Sequence, residues 1–124
     1  MSQISDLGVL QAAKRMAALS PQTQASFDKV MSLGWTQREK GTQAFRAIGS
    51  AIGSGRQPVS PSDMKELFAF TEQLLKQGNH NVANTVATAM LEQIWAVTRH
   101  SGFNFSLVDP YLGPETRSYL NSLG

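Results

Sequence analysis

The chain has 124 residues, of which 41% are hydrophobic, 16% are charged and none is cysteine. This length and apolar content are typical of one globular domain that buries its core without metal or disulfides. The lack of cysteine excludes disulfide bonds and thiolate metal sites. The chain opens with no basic segment followed by an apolar run, and no stretch of about 18 apolar residues occurs. We therefore expect a cytoplasmic protein that does not enter a membrane.

The formal net charge of +2 is divided unevenly along the chain. In residues 1–60, seven Lys and Arg stand against three Asp and Glu, a balance of +4. In residues 61–124, four Lys and Arg stand against six Asp and Glu, a balance of −2. The two halves can therefore present faces of opposite charge to a partner.

The first predicted helix covers residues 4–19, where apolar residues recur at steps of three and four and mark one face. Ser20 and Pro21 follow as an N-cap and a first helical residue. They begin a second helix, over about residues 21–33, which the sequence ends at Gly34.

Residues 35–41 are compatible with a turn or with a further short helix. Residues 42–53 place three large apolar side chains at helical spacing and predict another helix. Within it, Gly49 weakens the helix by about 1 kcal/mol relative to alanine.

A run of glycine, serine and proline at residues 54–60 predicts a flexible linker. It is too short to separate two domains, so we expect residues 1–124 to form one helical domain. The linker then joins a basic helical half, residues 1–53, to a second half, residues 61–124.

The second half begins with the best specified helix. Ser60 is its N-cap, Pro61 its first residue, and a broad apolar stripe continues to Gly78. The same apolar spacing recurs over residues 81–98. Because the connection between the two patterns is only about four residues long, we expect an antiparallel helical hairpin.

After the hairpin, the sequence predicts an ordered loop that packs Phe103 and Phe105 inward, with a short strand as the alternative. Pro114 then begins a final helix that ends near Leu123. No pair of strands joined by a hairpin turn is evident. The predicted fold is all-α: a single-domain bundle of about five to seven helices, with a C-terminal helical hairpin and a short final helix.

Neither histidine predicts a metal site or a catalytic centre. His80 lies in a helix-capping turn, His100 lies at a helix C-terminus, and neither has a second histidine at ligand spacing. Ser54 lies between glycines but lacks the Lys-Ser/Thr that completes a phosphate-binding loop. We therefore expect no catalytic residues, no metal and no cofactor, and a protein that is not an enzyme.

Glu72 and Glu92 lie in the middle of the two helices of the predicted hairpin, where facing carboxylates could act as acid and base. Each lies beside an apolar stripe, and Lys76 is four residues after Glu72. We favour a solvated or flank-paired role, and a partner-binding role is intermediate between these interpretations.

Three segments of the second half have a distinctive order and spacing. They are Glu72-Gln73-Leu74-Leu75 with Gly78-Asn79; then Val82, Val86, Thr88, Leu91 and Glu92; then Leu112-Gly113-Pro114-Glu115-Thr116-Arg117-Ser118-Tyr119. In this pattern the second half resembles small helical immunity proteins of bacterial polymorphic toxin systems. The resemblance covers about half of the chain, and the first half matches no pattern of that family.

The resemblance implies a protein that binds a cognate toxin domain and blocks its active site or substrate access by surface complementarity. The implied partner-binding residues are carboxylates that would face a basic toxin: Glu66, Glu72, Glu92, Asp109 and Glu115. Such inhibitors are often acidic, whereas this chain is mildly basic. Its basic first half would instead suit an acidic toxin surface.

Two other functions stay open. One is a helical adaptor or regulatory protein that acts through homo-oligomerisation, with Met64, Phe68, Met90 and Trp95 forming a partly exposed surface. The other is a small nucleic-acid-associated protein that uses the basic half. The cations of that half are spread out, without interleaved aromatic residues or a reading helix. We therefore favour a solvated face there and expect no nucleic-acid partner.

Overall fold

The computed structural model describes residues 3–54, 58–100 and 108–123, with the backbone alone at residues 99 and 100. All regular structure in these ranges is helical, and the predicted all-α single-domain bundle is confirmed. The α-helices are α1 (Val9–Ala17), α2 (Pro21–Met31), α3 (Gln37–Gly53), α4 (Pro61–Gln77), α5 (His80–Thr85), α6 (Glu92–His100) and α7 (Pro114–Ser122). A π-helical segment, Val86–Leu91, joins α5 to α6, and short 3₁₀ helices lie at Ile4–Asp6 and Asp109–Tyr111.

Side-chain caps begin two of the helices where the sequence predicts them. In α2, the Ser20 hydroxyl accepts a hydrogen bond from the Thr23 N–H at 3.1 Å. In α4, the Ser60 hydroxyl accepts one from the Asp63 N–H at 3.2 Å. Each bond satisfies a first-turn donor that has no partner inside its helix, so local chemistry determines both helix starts.

The structure divides the first predicted helix. The backbone is extended at Gly8, and the Gln11 side chain accepts a hydrogen bond from the Gly8 N–H at 2.9 Å. The Asn79 amide donates to the Leu7 carbonyl at 2.8 Å and ties this break to the α4–α5 connection. A long-range contact therefore separates Ile4–Asp6 from α1 where apolar spacing alone predicts a continuous helix.

The third helix begins earlier than predicted, because Thr36 is its N-cap residue and the Thr36 N–H donates a hydrogen bond to the Glu39 carboxylate at 3.4 Å. Gly49 in its middle has a packing role. A Cβ atom there would lie 2.6 Å from the Met90 carbonyl oxygen and 3.1 Å from the Gln93 Cβ. The glycine lets α3 cross the π-helical segment at close range, which offsets its low helix propensity.

The core lies between α3 and the continuous rod formed by α5, the π-helical segment and α6, with α1 and α4 completing it. Phe45, Phe68 and Met90 are each at most 1% exposed. The partly exposed apolar surface predicted for an adaptor is therefore wrong. Met64 and Phe68 turn inward on α4, Met90 is enclosed by α3, and of that set Trp95 alone is half-buried.

The α4–α5 connection consists of Gly78 and Asn79, two residues where the sequence predicts about four. In the predicted linker, residues 55–57 lie outside the described residues, and so do Phe103 and Phe105 of the predicted loop. The division of the chain into a basic half, a linker and a second half stays a prediction. Among the described helices, none has both the length and the apolar character needed to cross a bilayer.

Candidate functional site

Glu72 caps the last helix from across the fold. Its Oε1 accepts a hydrogen bond from the backbone N–H of Glu115 at 2.6 Å. Its Oε2 accepts from the backbone N–H of Thr116 at 3.1 Å and from the Thr116 hydroxyl at 2.8 Å. These backbone groups are first-turn donors of α7, which its N-cap residue, Gly113, cannot satisfy with a side chain. The Glu72 carboxylate, on α4, therefore acts as the N-cap of α7.

The close fit of this cap depends on the absence of a side chain at Gly113. A Cβ atom there would lie 2.5 Å from the Glu72 Cδ and 2.8 Å from its Cγ. The backbone φ of Gly113 is −79°, which any residue can adopt. Space for the carboxylate, and not backbone conformation, accounts for glycine at this position.

The environment of Glu72 keeps it ionised at neutral pH. Burial raises the pKa of Glu72, but hydrogen bonds from Glu115 and Thr116 and the nearby Lys76 ammonium lower it, and the net pKa lies below 4.5. The Lys76 Nζ is 3.9 Å from Oε1, and the Glu72 side chain is 14% exposed. The flank pairing expected from the sequence is present, while the main partner of Glu72 is the positive end of α7.

Glu92 holds the same helix further along. The Tyr119 hydroxyl donates a hydrogen bond to the Glu92 Oε2 at 2.6 Å. Burial and this carboxylate raise the pKa of Tyr119 to about 12, so the hydroxyl stays a donor at neutral pH. Glu92 is therefore engaged by an intramolecular hydrogen bond.

A third carboxylate orders the start of the same region. The Arg117 Nη1 donates to the Asp109 Oδ1, and its Nη2 donates to the Asp109 carbonyl oxygen at 2.9 Å. The guanidinium of α7 thereby binds both the side chain and the backbone of the 3₁₀ helix. We call Glu72, Glu92 and Asp109 together the α7 clasp.

The five carboxylates predicted to bind a partner thus separate into two groups. The three of the α7 clasp already make intramolecular hydrogen bonds. The side chains of Glu66, on α4, and Glu115, in the first turn of α7, are exposed. Binding of a partner by these residues stays a prediction, and the described contacts leave Glu66 and Glu115 as the most available of the set.

Several residues of the segments that carry the family resemblance hold α7 in its place in the fold. Glu72, Gly113, Thr116 and Tyr119 each contribute to docking of α7. One feature of the sequence indicates this docking of α7. A helix that begins Gly-Pro has no side-chain cap, so the backbone N–H groups of its first turn need an acceptor from elsewhere in the protein. The identity of that acceptor required the tertiary structure.

A first groove lies between α1 and α4, with a volume of about 280 Å³. Its lining residues are Arg15, Leu19, Glu66, Ala69, Phe70 and Gln73. The Arg15 Cζ lies 5.1 Å from the centroid of the Phe70 ring, within the range of a cation–π contact. Phe70 is 7% exposed, so an aromatic ring fixed by the core positions an exposed guanidinium over this groove.

A second groove lies on the other side of α4, with a volume of about 730 Å³. Its second wall is the segment from Pro110 to Gly113, which the α7 clasp holds in place. Its lining residues are Lys65, Phe68, Ala69, Glu72, Gln73, Lys76, Gln77, Pro110, Tyr111, Leu112 and Gly113. Both grooves include Ala69 and Gln73, which therefore form a ridge between them.

We use the name α4 face for the two grooves together with their ridge. Its exposed α4 side chains share one side of the helix because they recur at steps of three and four. They are Lys65, Glu66, Ala69, Gln73, Lys76 and Gln77. None of the residues on this ridge was predicted as functional, because alanine and glutamine carry no chemical signal in a sequence.

Within the described residues, no group of three or more His, Asp or Glu side chains is placed to hold a metal ion. His80 is exposed as the first residue of α5, and Asn79 caps that helix through its side chain. Models of protein families, curated proteins and solved structures yielded no match to this chain.

Proposed function

We propose that this protein is an immunity protein, a binder and not an enzyme, that neutralises a toxin domain in the cytoplasm. It blocks the active site of the toxin or the access of its substrate, and it binds through the α4 face. The observation that carries this proposal is the pair of grooves on either side of the Ala69–Gln73 ridge. The resemblance of the second half to immunity proteins supports the nature of the partner.

The composition of the α4 face suits a protein–protein interface. Aromatic residues and arginine are enriched at the centres of such interfaces, with polar residues at the rim. Phe70 and Tyr111 line the two grooves and Arg15 stands over one of them, while lysines and glutamines surround them. Side chains of the partner can fill the grooves while the ridge contacts the surface between them.

The α4 face is also fixed before binding. α4 has 17 residues, a length of about 25 Å, and its inner side is anchored by Leu67, Phe68 and Leu74, each at most 1% exposed. The α7 clasp fixes the opposite wall of the second groove. A surface that is already ordered loses little conformational entropy on association, which favours affinity.

Co-expression tests the proposal. We expect the C-terminal domain encoded by the upstream neighbouring gene to arrest growth alone, and this protein to restore growth. Ala69→Arg places a long side chain on the ridge and should abolish protection. Ala25→Arg is the matched control, because Ala25 is an exposed alanine on α2, and it should protect like the wild type.

Two results would overturn the proposal: a domain that is harmless alone, or growth that is equally poor with and without this protein. A mass that rises with concentration, with no partner recovered, would support a homo-oligomeric adaptor instead. Salt-sensitive retention on a DNA column would support a nucleic-acid-associated protein.

A further inference from the structure

The charges that line the α4 face are mainly positive once intramolecular contacts are considered. The charged lining residues are Arg15, Lys65, Lys76, Glu66 and Glu72. Both oxygens of Glu72 accept hydrogen bonds from the first turn of α7, whose dipole offsets its charge. Lys76 pairs with Glu72 at 3.9 Å, so two further cations, Arg15 and Lys65, stand against one exposed carboxylate, Glu66. Glu115 is exposed two residues beyond Gly113 but does not line either groove.

Arg15 is the cation best prepared to bind an anion. Its guanidinium lies over the Phe70 ring, and among the described residues no hydrogen bond or ion pair engages it. A planar guanidinium can bind a carboxylate through two parallel hydrogen bonds while it stacks on an aromatic ring. The stack restrains Arg15 before binding, so less side-chain entropy is lost when an acidic group arrives.

The second groove combines apolar walls with cations at its edge. The half-buried Tyr111 and Leu112 contribute the accessible apolar lining above the buried Phe68, and Lys65 and Lys76 are exposed on α4. Lys76 interacts with Glu72 at 3.9 Å, whereas the described residues provide no ion pair for Lys65. A partner segment that fits here needs an apolar side chain for the groove and a negative charge beside it.

We infer that the α4 face binds an acidic segment of its partner, with apolar side chains in the grooves and a carboxylate on Arg15. This inference relies on the proposed function for the identity of the partner, but its chemistry follows from the α4 face alone. It reverses the sign of the charge expected from the sequence, where the carboxylates of the second half would face a basic toxin. The reason is that three of those carboxylates hold α7.

Charge-reversal variants of this protein test whether the bound segment is acidic. Their affinity is measured for the purified C-terminal domain encoded by the upstream neighbouring gene. We expect Arg15→Glu and Lys65→Glu each to weaken binding by about tenfold or more. Lys29→Glu, an exposed lysine on α2, should change the dissociation constant by less than about twofold. Glu66→Gln should leave affinity unchanged or improve it. A loss of affinity with Glu66→Gln, together with none for Arg15→Glu, would overturn the inference.

A second probe separates this inference from the proposed function. The full chain is titrated with a short amphipathic peptide carrying leucine and glutamate, and with the same peptide carrying lysine in place of glutamate. We expect the glutamate peptide to bind at least about fivefold more tightly and Arg15→Glu to abolish the difference. If that holds while the neighbour's domain does not bind, the immunity function fails and the surface assignment stands. If the domain binds and Arg15 and Lys65 do not matter, or neither peptide binds, the inference is wrong.

Discussion

Removal of the Glu72 carboxylate should loosen α7 and lower the stability of the whole domain. Glu72→Ala removes three hydrogen bonds, two of them from backbone N–H groups at the start of α7. It also leaves the donors of Thr116, which is fully buried, without an acceptor. Because Gly113 has no side chain to cap α7, the first turn of that helix is then left without an N-cap.

The expected decrease in the free energy of unfolding follows from the loss of these interactions. Loss of an N-cap costs about 1 kcal/mol, and loss of a negative charge at a helix N-terminus costs about 0.5 kcal/mol. An unsatisfied buried donor adds about 1–2 kcal/mol. We therefore expect Glu72→Ala to lower the free energy of unfolding by about 3 kcal/mol, or the melting temperature by roughly 10 °C for a domain of this size. Glu72→Gln should lose about half as much, because one oxygen can still accept.

Urea unfolding followed by far-ultraviolet circular dichroism measures this loss, and Glu66→Ala is the control. Glu66 lies on the same helix but is exposed, so its removal should cost less than about 0.5 kcal/mol. Hydrogen exchange should locate the change at the first-turn amides of α7. Equal stability of the Glu72→Ala and Glu66→Ala proteins would refute the role of Glu72 as the cap of α7.

Acid titration gives an independent check on the same carboxylate. The pKa of Glu72 is lower in the folded protein than its ordinary value of 4.5. Its ionised form therefore stabilises the fold above that value, and this stabilisation is lost as the pH falls through the folded-state pKa. The difference in stability between wild type and Glu72→Ala should narrow as the pH falls below about 4.5. A difference that stays constant would contradict the assignment.

Three further predictions concern the contacts around α7 and α3. Tyr119→Phe should cost about 1–2 kcal/mol at neutral pH. Because the folded-state pKa of Tyr119 is raised to about 12 from 10.0, wild type should also lose stability as the pH rises from about 10 through 12, and the variant should lack that contribution. Gly113→Ala should cost about 1–3 kcal/mol by displacing the carboxylate, but much less in a Glu72→Ala background, as a double-mutant cycle in urea would measure. Gly49→Ala should be destabilising in thermal unfolding although alanine favours helices, whereas Gly34→Ala, with no atom within 4 Å of its Cβ position, should be near neutral or slightly stabilising.

Local patterns in the sequence are sufficient to predict the fold class and most helix ends, because those depend on groups a few residues apart. Ser20 and Ser60 cap the turns that follow them, and Pro114 begins the last helix as predicted. The errors in the helix boundaries have different origins. The early start of α3 follows from the local contact between Thr36 and Glu39, whereas the division of the first predicted helix involves a distant residue. The break near Gly8 depends partly on Asn79, 72 residues from Leu7 in the chain, and apolar spacing contains no information about such a contact.

The contacts of the carboxylates depend on helix packing and are not predictable from local sequence. From the sequence, Glu72 and Glu92 are charged residues beside apolar stripes, for which a solvated or flank-paired role is favoured over partner binding and over catalysis. In the fold, Glu72 meets donors 43 and 44 residues away and Glu92 meets Tyr119, 27 residues away. The same packing aligns α1 with α4 and places Arg15 over Phe70. Which charges are satisfied internally, and which stay exposed for a partner, depends on the way the helices pack, because hydrogen bonds between distant helices form only when packing brings their groups together.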